Sequence, residues 1–378
     1  MSAAAPPDDI PRDALEGVFH IEQTRRDGSA VEFIGEALLP PKRVMQELHV
    51  PFDRAGYRLS VDRRGPYRMV IRAVPIAEAR AGVPWVNIAL FLLTVISTLL
   101  VGAFYWYYIP LGAAMADPVV VLRAWPFTAA VLGVLATHEM GHYLAGRIHG
   151  VDVSLPYVIP FLFPFGTLGA VIRMRGHMPD RRVLFDIGVA GPLAGLVATI
   201  IVSVIGLSLP PVTVPAWAMV ADGQAIMFNT PPLLELIAGA IGAQTEYPGM
   251  GQTVSPVVIG AWVGMFFTVL NLLPVGQLDG GHIIRAMVGR SQERVAAVVP
   301  MALFAIAGYL HLIRGYALNE SVALWIFWGF FAMVIAWRGP AHPVDETPLG
   351  VGRILVGVLT FALGALCFLL VPIEITTV

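Results

Sequence analysis

Beyond Gly82 the chain is built from long apolar runs joined by short polar connections, whereas before it polar and apolar positions alternate at close range. Seven runs, near 84–108, 124–147, 184–209, 256–275, 295–313, 321–337 and 352–371, approach or exceed the roughly twenty residues that a helix needs to cross a bilayer. The sixth is at the short limit. Between the second and third lies VSLPYVIPFLFPFGTLGAVIRM, equally apolar but broken by Pro156, Pro160, Pro164 and several glycines. Proline inside a helix removes a hydrogen bond and clashes with the preceding turn. The segment is therefore expected to be re-entrant or interfacial, with extended backbone sheltered by protein or water. The stretch NTPPLLELIAGAIGA, Asn229 to Ala243, is too short to cross and is expected to form an interfacial helix with Thr230 as its N-cap.

Residues 14–80 read as a small soluble α+β module. VEFIGEAL predicts a strand, PPKRVMQEL a short helix opened by prolines, and YRLSVDRRGPYRMVIRAV a hairpin turning at Arg64-Gly65-Pro66, giving the order β-α-β-β. Residues 1–13 are rich in Ala, Pro and Asp and are expected to be disordered; without a basic region or an apolar core they do not read as a cleavable signal peptide. The fold class is mainly α: a polytopic membrane protein of about seven transmembrane helices over 84–371, with a re-entrant or extended segment after the second and the small α+β module in front.

Composition agrees. Of the residues, 57% are hydrophobic and 13% charged, against about 25% charged in a soluble domain. The 24 basic and 26 acidic residues nearly cancel, so there is no nucleic-acid footprint. The distribution of charge says more. Half of the Lys and Arg residues precede Val83. The connection after the second run carries Arg147, Arg173, Arg175, Arg181 and Arg182, and the one after the fourth carries Arg285, Arg290 and Arg294. No basic residue lies between Leu209 and Ser255 or after Val371. By the positive-inside rule the arginine-bearing connections face the cytoplasm, which predicts an integral protein of the plasma membrane, N-terminus in and C-terminus out. The single cysteine, Cys367, provides neither a disulfide nor a Cys-based zinc site within the chain and reads as a buried structural residue.

Into this apolar background the second run sets LATHEMGHYLAGR, Leu135 to Arg147. Ionisable groups inside a spanning helix cost roughly 2.5–3.5 kcal/mol each on the mildest scale and are functional by default. Residues four apart on a helix are offset by about 40° and about 6 Å along the axis, so His138 and His142 point the same way and can share one metal ion, with Glu139 beside it. In H-E-x-x-H the glutamate takes a proton from metal-bound water. A hydrolytic zinc site takes three protein ligands. His20, His49, His149, His177, His311 and His342 read as polar surface residues. The candidate third ligand is Asp279 in NLLPVGQLDGGH, where Pro274 and Gly276 interrupt the fourth run at the end that shares a membrane face with His142. The alternative for Asp279 is a simple helix or turn cap. Asp186, near the start of the third run, reads as structural, favoured by the helix dipole, and Gly191 and Gly195 read as close helix packing.

HEMGH on one apolar helix and NLLPVGQLDGG ending a later one resemble the site-2 proteases, intramembrane zinc metalloproteases whose signature is H-E-x-x-H followed by N-x-x-P-x-x-x-L-D-G. The match runs through Asn271, Pro274, Leu278, Asp279 and Gly280, and extends over most of 120–290. GTLGAVIRMRG and DIGVAGPLAGL look closest to the branch that includes plant chloroplast members. The resemblance implies that His138, His142 and Asp279 bind Zn²⁺, that Glu139 is the general base, and that Asn271 lines the site. It implies transmembrane proteins as substrates within the lipid bilayer, and names neither a particular substrate nor an oligomeric state. PDZ and CBS domains found in other members have no counterpart, and GPLAGLV stands where many members carry an Asn, so no residue is assigned to the oxyanion. A substrate helix must unwind before attack. The glycine-rich stretch Gly166 to Met174, with Gly166, Thr167 and Gly169 lining the site, would pair with it as an added strand; the alternative is a loop that packs over the site. The competing readings are a zinc peptidase with a glutamate ligand on a later helix, a non-proteolytic haem or metal-transport protein using the same histidines, and a proteolytically dead relative.

Overall fold

The computed structural model describes residues 10–27, 30–63, 68–75, 83–162, 164–175, 178–215, 224–247, 251–339 and 343–377. The chain divides into two compact units: Met1–Pro84 with Gly176–Asp180 and His342–Thr347, and the rest.

In the first unit β1 (Phe19–Asp27), β2 (Ala30–Ala37), α1 (Pro41–Arg54), β3 (Tyr57–Arg63) and β4 (Arg68–Pro75) form an antiparallel sheet of order β1-β2-β4-β3 with one helix. Val44, Leu48 and Phe52 fall at every fourth residue of α1, on one face, and are buried with Val31, Phe33, Met69 and Ile71 from the strands. The order is thus β-β-α-β-β. β1 escapes sequence reading because it is an edge strand: of its nine residues only Phe19 is buried, so no apolar alternation marks it. Two short strands from later in the chain, Met178–Asp180 and Pro343–Asp345, pair in parallel within this unit. Residues 1–9 and the Arg64-Gly65-Pro66 turn lie outside the described residues. Disorder does not extend over 10–13, because Ile10 is buried and a 3-10 turn begins at Arg12.

The second unit is helical: α2 (Trp85–Val101), α3 (Trp125–Ile148), α4 (Arg181–Ser208), α5 (Pro256–Asn271), α6 (Asp279–Val288), α7 (Gln292–Gly308), α8 (Ala323–Arg338) and α9 (Val351–Ala365). Among the described residues four helical stretches are long and apolar enough to cross a membrane: Trp85–Trp106, Pro118–Ile148, Arg181–Ser208 and Asp279–Ile313. Three other expected runs hold α5, α8 and α9, of only 15 or 16 residues. α5 stops early because a proline disfavours helix at the residue before it and clashes one turn back, and Pro274 follows its end. The stretch Asn229 to Ala243 contains a helix over Pro232–Ile241; Pro231, not Thr230, flanks it, without a side-chain cap.

The proline-broken segment after α3 contains a hairpin of β5 (Tyr157–Pro160) and β6 (Thr167–Val171). Side chains of α2 serve its backbone: the Asn87 amide donates to the Pro156 carbonyl at 2.8 Å, the Thr94 hydroxyl to Val158 at 3.2 Å and the Ser97 hydroxyl to Gly166 at 2.6 Å. Extended backbone in an apolar setting needs such partners.

Candidate metal centre

α3 begins with Pro126 in its first turn, a favoured start, and runs unbroken to Ile148. His138, Glu139 and His142 lie within it and are all buried. Its partner across the seam is α4, antiparallel to it. Gly191 lies against His142 and Gly195 against His138; a β-carbon at 195 would sit 2.9 Å from His138 Nδ1, and one at 191 would overlap the His142 ring. The imidazoles therefore occupy space that only glycine leaves open. Sequence reading assigned these glycines to packing; they are packing, and what they pack is the pair His138 and His142. The signal is their four-residue spacing, which repeats that of the histidines.

Asp279 reaches the same point from α6. After Asn271 the chain leaves the helix, folds through Leu272–Leu278 and re-enters a helix at Asp279. Gly280 permits this, since a β-carbon there would overlap the Leu272 carbonyl. The result is a triangle: His138 Nε2 to Asp279 Oδ2 is 3.1 Å, His142 Nε2 to Asp279 Oδ1 is 3.2 Å, and the two Nε2 atoms are 3.2 Å apart. Tetrahedral zinc with ligands at 2.0–2.1 Å has ligand-to-ligand edges of about 3.4 Å, so both the donor set and its spacing fit zinc. His142 Nδ1 lies 2.7 Å from the Ile187 carbonyl. Donating there, it leaves the Nε2 lone pair directed at the triangle.

The other expected residues fall as follows. Glu139, one residue after His138 on α3, is buried beside the two histidines. Asn271, the last residue of α5, places Nδ2 3.3 Å from His138 Nε2. Thr167 is buried, and its hydroxyl donates to the Ile159 carbonyl at 2.8 Å and accepts from the Gly169 amide at 3.0 Å. Gly166 backs onto Thr98 of α2, and Gly169 faces Phe267 of α5. These three hold the hairpin in shape; they are not among the converging donor atoms. Asp186 is structural: Arg353 binds it in bidentate fashion at 2.8 and 2.9 Å, and His149 Nε2 lies 3.2 Å away. Arg181, at the start of α4, donates to the Ala286 and Met287 carbonyls at the end of α6. Cys367 is buried and free.

Comparison with known proteins bears on the same region. Residues 126–310 match the model of peptidase family M50. The chain is 33% identical over 240 residues to "Probable zinc metalloprotease EGY1, chloroplastic" of Arabidopsis thaliana, covering 62% of this chain and 41% of that one. It is 26% identical over 385 residues to "Probable zinc metallopeptidase EGY3, chloroplastic" of the same plant, covering 93% and 62%. It therefore spans less than two thirds of the length of these relatives. A site-2 protease structure from Methanocaldococcus jannaschii overlaps 68% of this chain and 92% of its own at 16% identity, with a TM-score of 0.32, too loose to carry an argument.

Proposed function

We propose, from the match of residues 126–310 to the model of peptidase family M50, that this chain is an intramembrane zinc metalloprotease that hydrolyses peptide bonds within or near transmembrane segments. The observation that carries the proposal is the convergence of His138, His142 and Asp279 within 4.8 Å of one another, beside a buried glutamate on the same apolar helix.

His138 Nε2, His142 Nε2 and the Asp279 carboxylate would hold the ion. Zinc bound there supplies Lewis acidity, activating water and polarising the scissile carbonyl. Glu139 takes up the proton that water loses and delivers it to the leaving amine. Asn271 lines the site, and its amide is one candidate for the oxyanion. β6, held by Gly166, Thr167 and Gly169, would pair with an unwound substrate segment as an added strand.

The same reading takes α5, α8 and α9 as spans, for seven in all, and treats transmembrane proteins and lipid as the partners. The expected plasma membrane and cytoplasm-facing sidedness gain no support from relatives named chloroplastic; an integral membrane setting is what the apolar helices support. The haem alternative is not favoured, because two Nε2 atoms 3.2 Å apart on one helix cannot take opposite faces of a porphyrin.

The test is cleavage of model transmembrane segments by the purified protein in detergent, with Glu139→Gln as control. Equal cleavage by the mutant would sink the proposal.

A further inference from the structure

The loop Leu272–Leu278 carries the chain from the end of α5 to Asp279 at the start of α6. Its backbone bonds are short in range: Leu273 N–H donates to Leu270, Val275 to Leu273 and Leu278 to Val275. Such bonds shape a turn but leave its place in the molecule open. That place matters here. Converging groups of this kind must be held to within about 0.5 Å, and Asp279 comes from a different element than the two histidines, whose Nε2 atoms it meets at 3.1 and 3.2 Å.

Close contacts from two directions place the loop. α6 packs against it through two glycines: a β-carbon at Gly280 would overlap the Leu272 carbonyl, and one at Gly281 the Gly276 carbonyl. α8 meets it at Gly276. There φ is 51°, in the left-handed region, and a β-carbon would overlap both Cγ2 and the carbonyl oxygen of Ile335. Glycine alone meets both demands without strain. Its neighbour Val275 is fully buried and belongs to one apolar cluster with Ala296 and Val299 of α7 and Ala332 of α8. Two successive residues of the loop are thus held by the α7–α8 pair, which contributes none of the three converging donor atoms.

We propose that α8 clamps the metal centre: Ile335 against Gly276, together with the burial of Val275 in the α7–α8 packing, fixes the loop Leu272–Leu278 and thereby the aim of the Asp279 carboxylate at His138 and His142. Val275, Gly276 and Ile335 are positioning residues. This rests on the reading of the site as a zinc centre.

The experiment measures zinc affinity of the purified full chain by competition with a chromogenic chelator, together with the unfolding temperature of the zinc-free form. V275A, which removes the loop's anchor, is expected to lose about tenfold in zinc affinity, the scale usual for supports behind ligands. The control is L310A. Leu310 is buried in the same cluster, but its turn packs against the turn that precedes α8, and Ile335 lies about 18 Å further along that helix. L310A is expected to lower the unfolding temperature at least as far as V275A and to keep wild-type zinc affinity. V275T preserves the shape of the side chain while burying a hydroxyl; it is expected to unfold earlier than wild type yet bind zinc as tightly, a rescue that loss of stability alone would not produce. If V275A or L310A is not recovered folded, I335A, which removes the α8 side of the contact, is compared with I306A, a partly buried position of the same packing, and decides in the same way. Wild-type affinity in V275A, or in I335A where that pair decides, or equal losses in the variant and its control, or in V275A and V275T, overturns the proposal while leaving the zinc site intact. Failure of the wild-type chain to bind zinc at all overturns the site reading itself.

Discussion

Gly191 and His142 stand face to face across the seam between α3 and α4, so close that any β-carbon at 191 would overlap the imidazole at Nε2, the atom directed at Asp279. One turn further along, Gly195 repeats the relationship with His138. Helix packing and the candidate metal centre thus use the same surface, and a change to one is expected to appear in the other.

Gly191→Ala should lower zinc content sharply, because the added methyl competes directly with His142 and overpacking of this kind costs about 1–3 kcal/mol. Gly195→Ala should be milder, since its β-carbon would meet His138 Nδ1 at 2.9 Å rather than overlap it. Metal analysis of the two purified variants checks the order; full zinc content in Gly191→Ala would refute it.

Replacing Asp279 by Asn keeps the shape of the side chain but removes the anionic donor. Zinc occupancy should fall, and model-segment cleavage with it. In the wild type, chelation should abolish cleavage and added zinc restore it. Retention of both zinc and cleavage by Asp279→Asn would show that the third ligand lies elsewhere.

Glu139→Gln makes the opposite separation. It should bind zinc as the wild type does while cleavage drops by about 10²–10⁴-fold, the usual contribution of a general base. Loss of zinc in this variant would make Glu139 a ligand instead.

Arg353 ties α9 to α4 through Asp186, in a pair that keeps partial solvent exposure, 40% and 24% for the two side chains. Screening limits such a pair to about 1 kcal/mol. Arg353→Ala should therefore lower the unfolding temperature modestly and leave zinc content unchanged; lost zinc would mean that α9 supports the centre.

Prolines at Thr167 or Ala170 should cripple cleavage if β6 receives the substrate as an added strand, because proline cannot donate to a ladder. Zinc content should be spared. Unimpaired cleavage would leave β6 as a loop that only packs over the site.

The common face of His138 and His142 follows from helical periodicity alone, and so was legible in HEMGH, as was the break at Pro274 that brings an acid to the end of α5. The apolar runs were equally plain, since bilayer-compatible composition is a one-dimensional property. Other features depended on partners distant in sequence. β1 shows no alternation because its exposed edge has no need of it. The Ile187 carbonyl reaches His142 through a backbone group that every residue carries and no side chain advertises. The sequence by itself determined which side chains can bind a metal and on which helices they stand. Only the tertiary structure decided that two glycines on α4 make room for the imidazoles and that a folded-back loop carries Asp279 to within 3.2 Å of both, because close approach is a property of pairs.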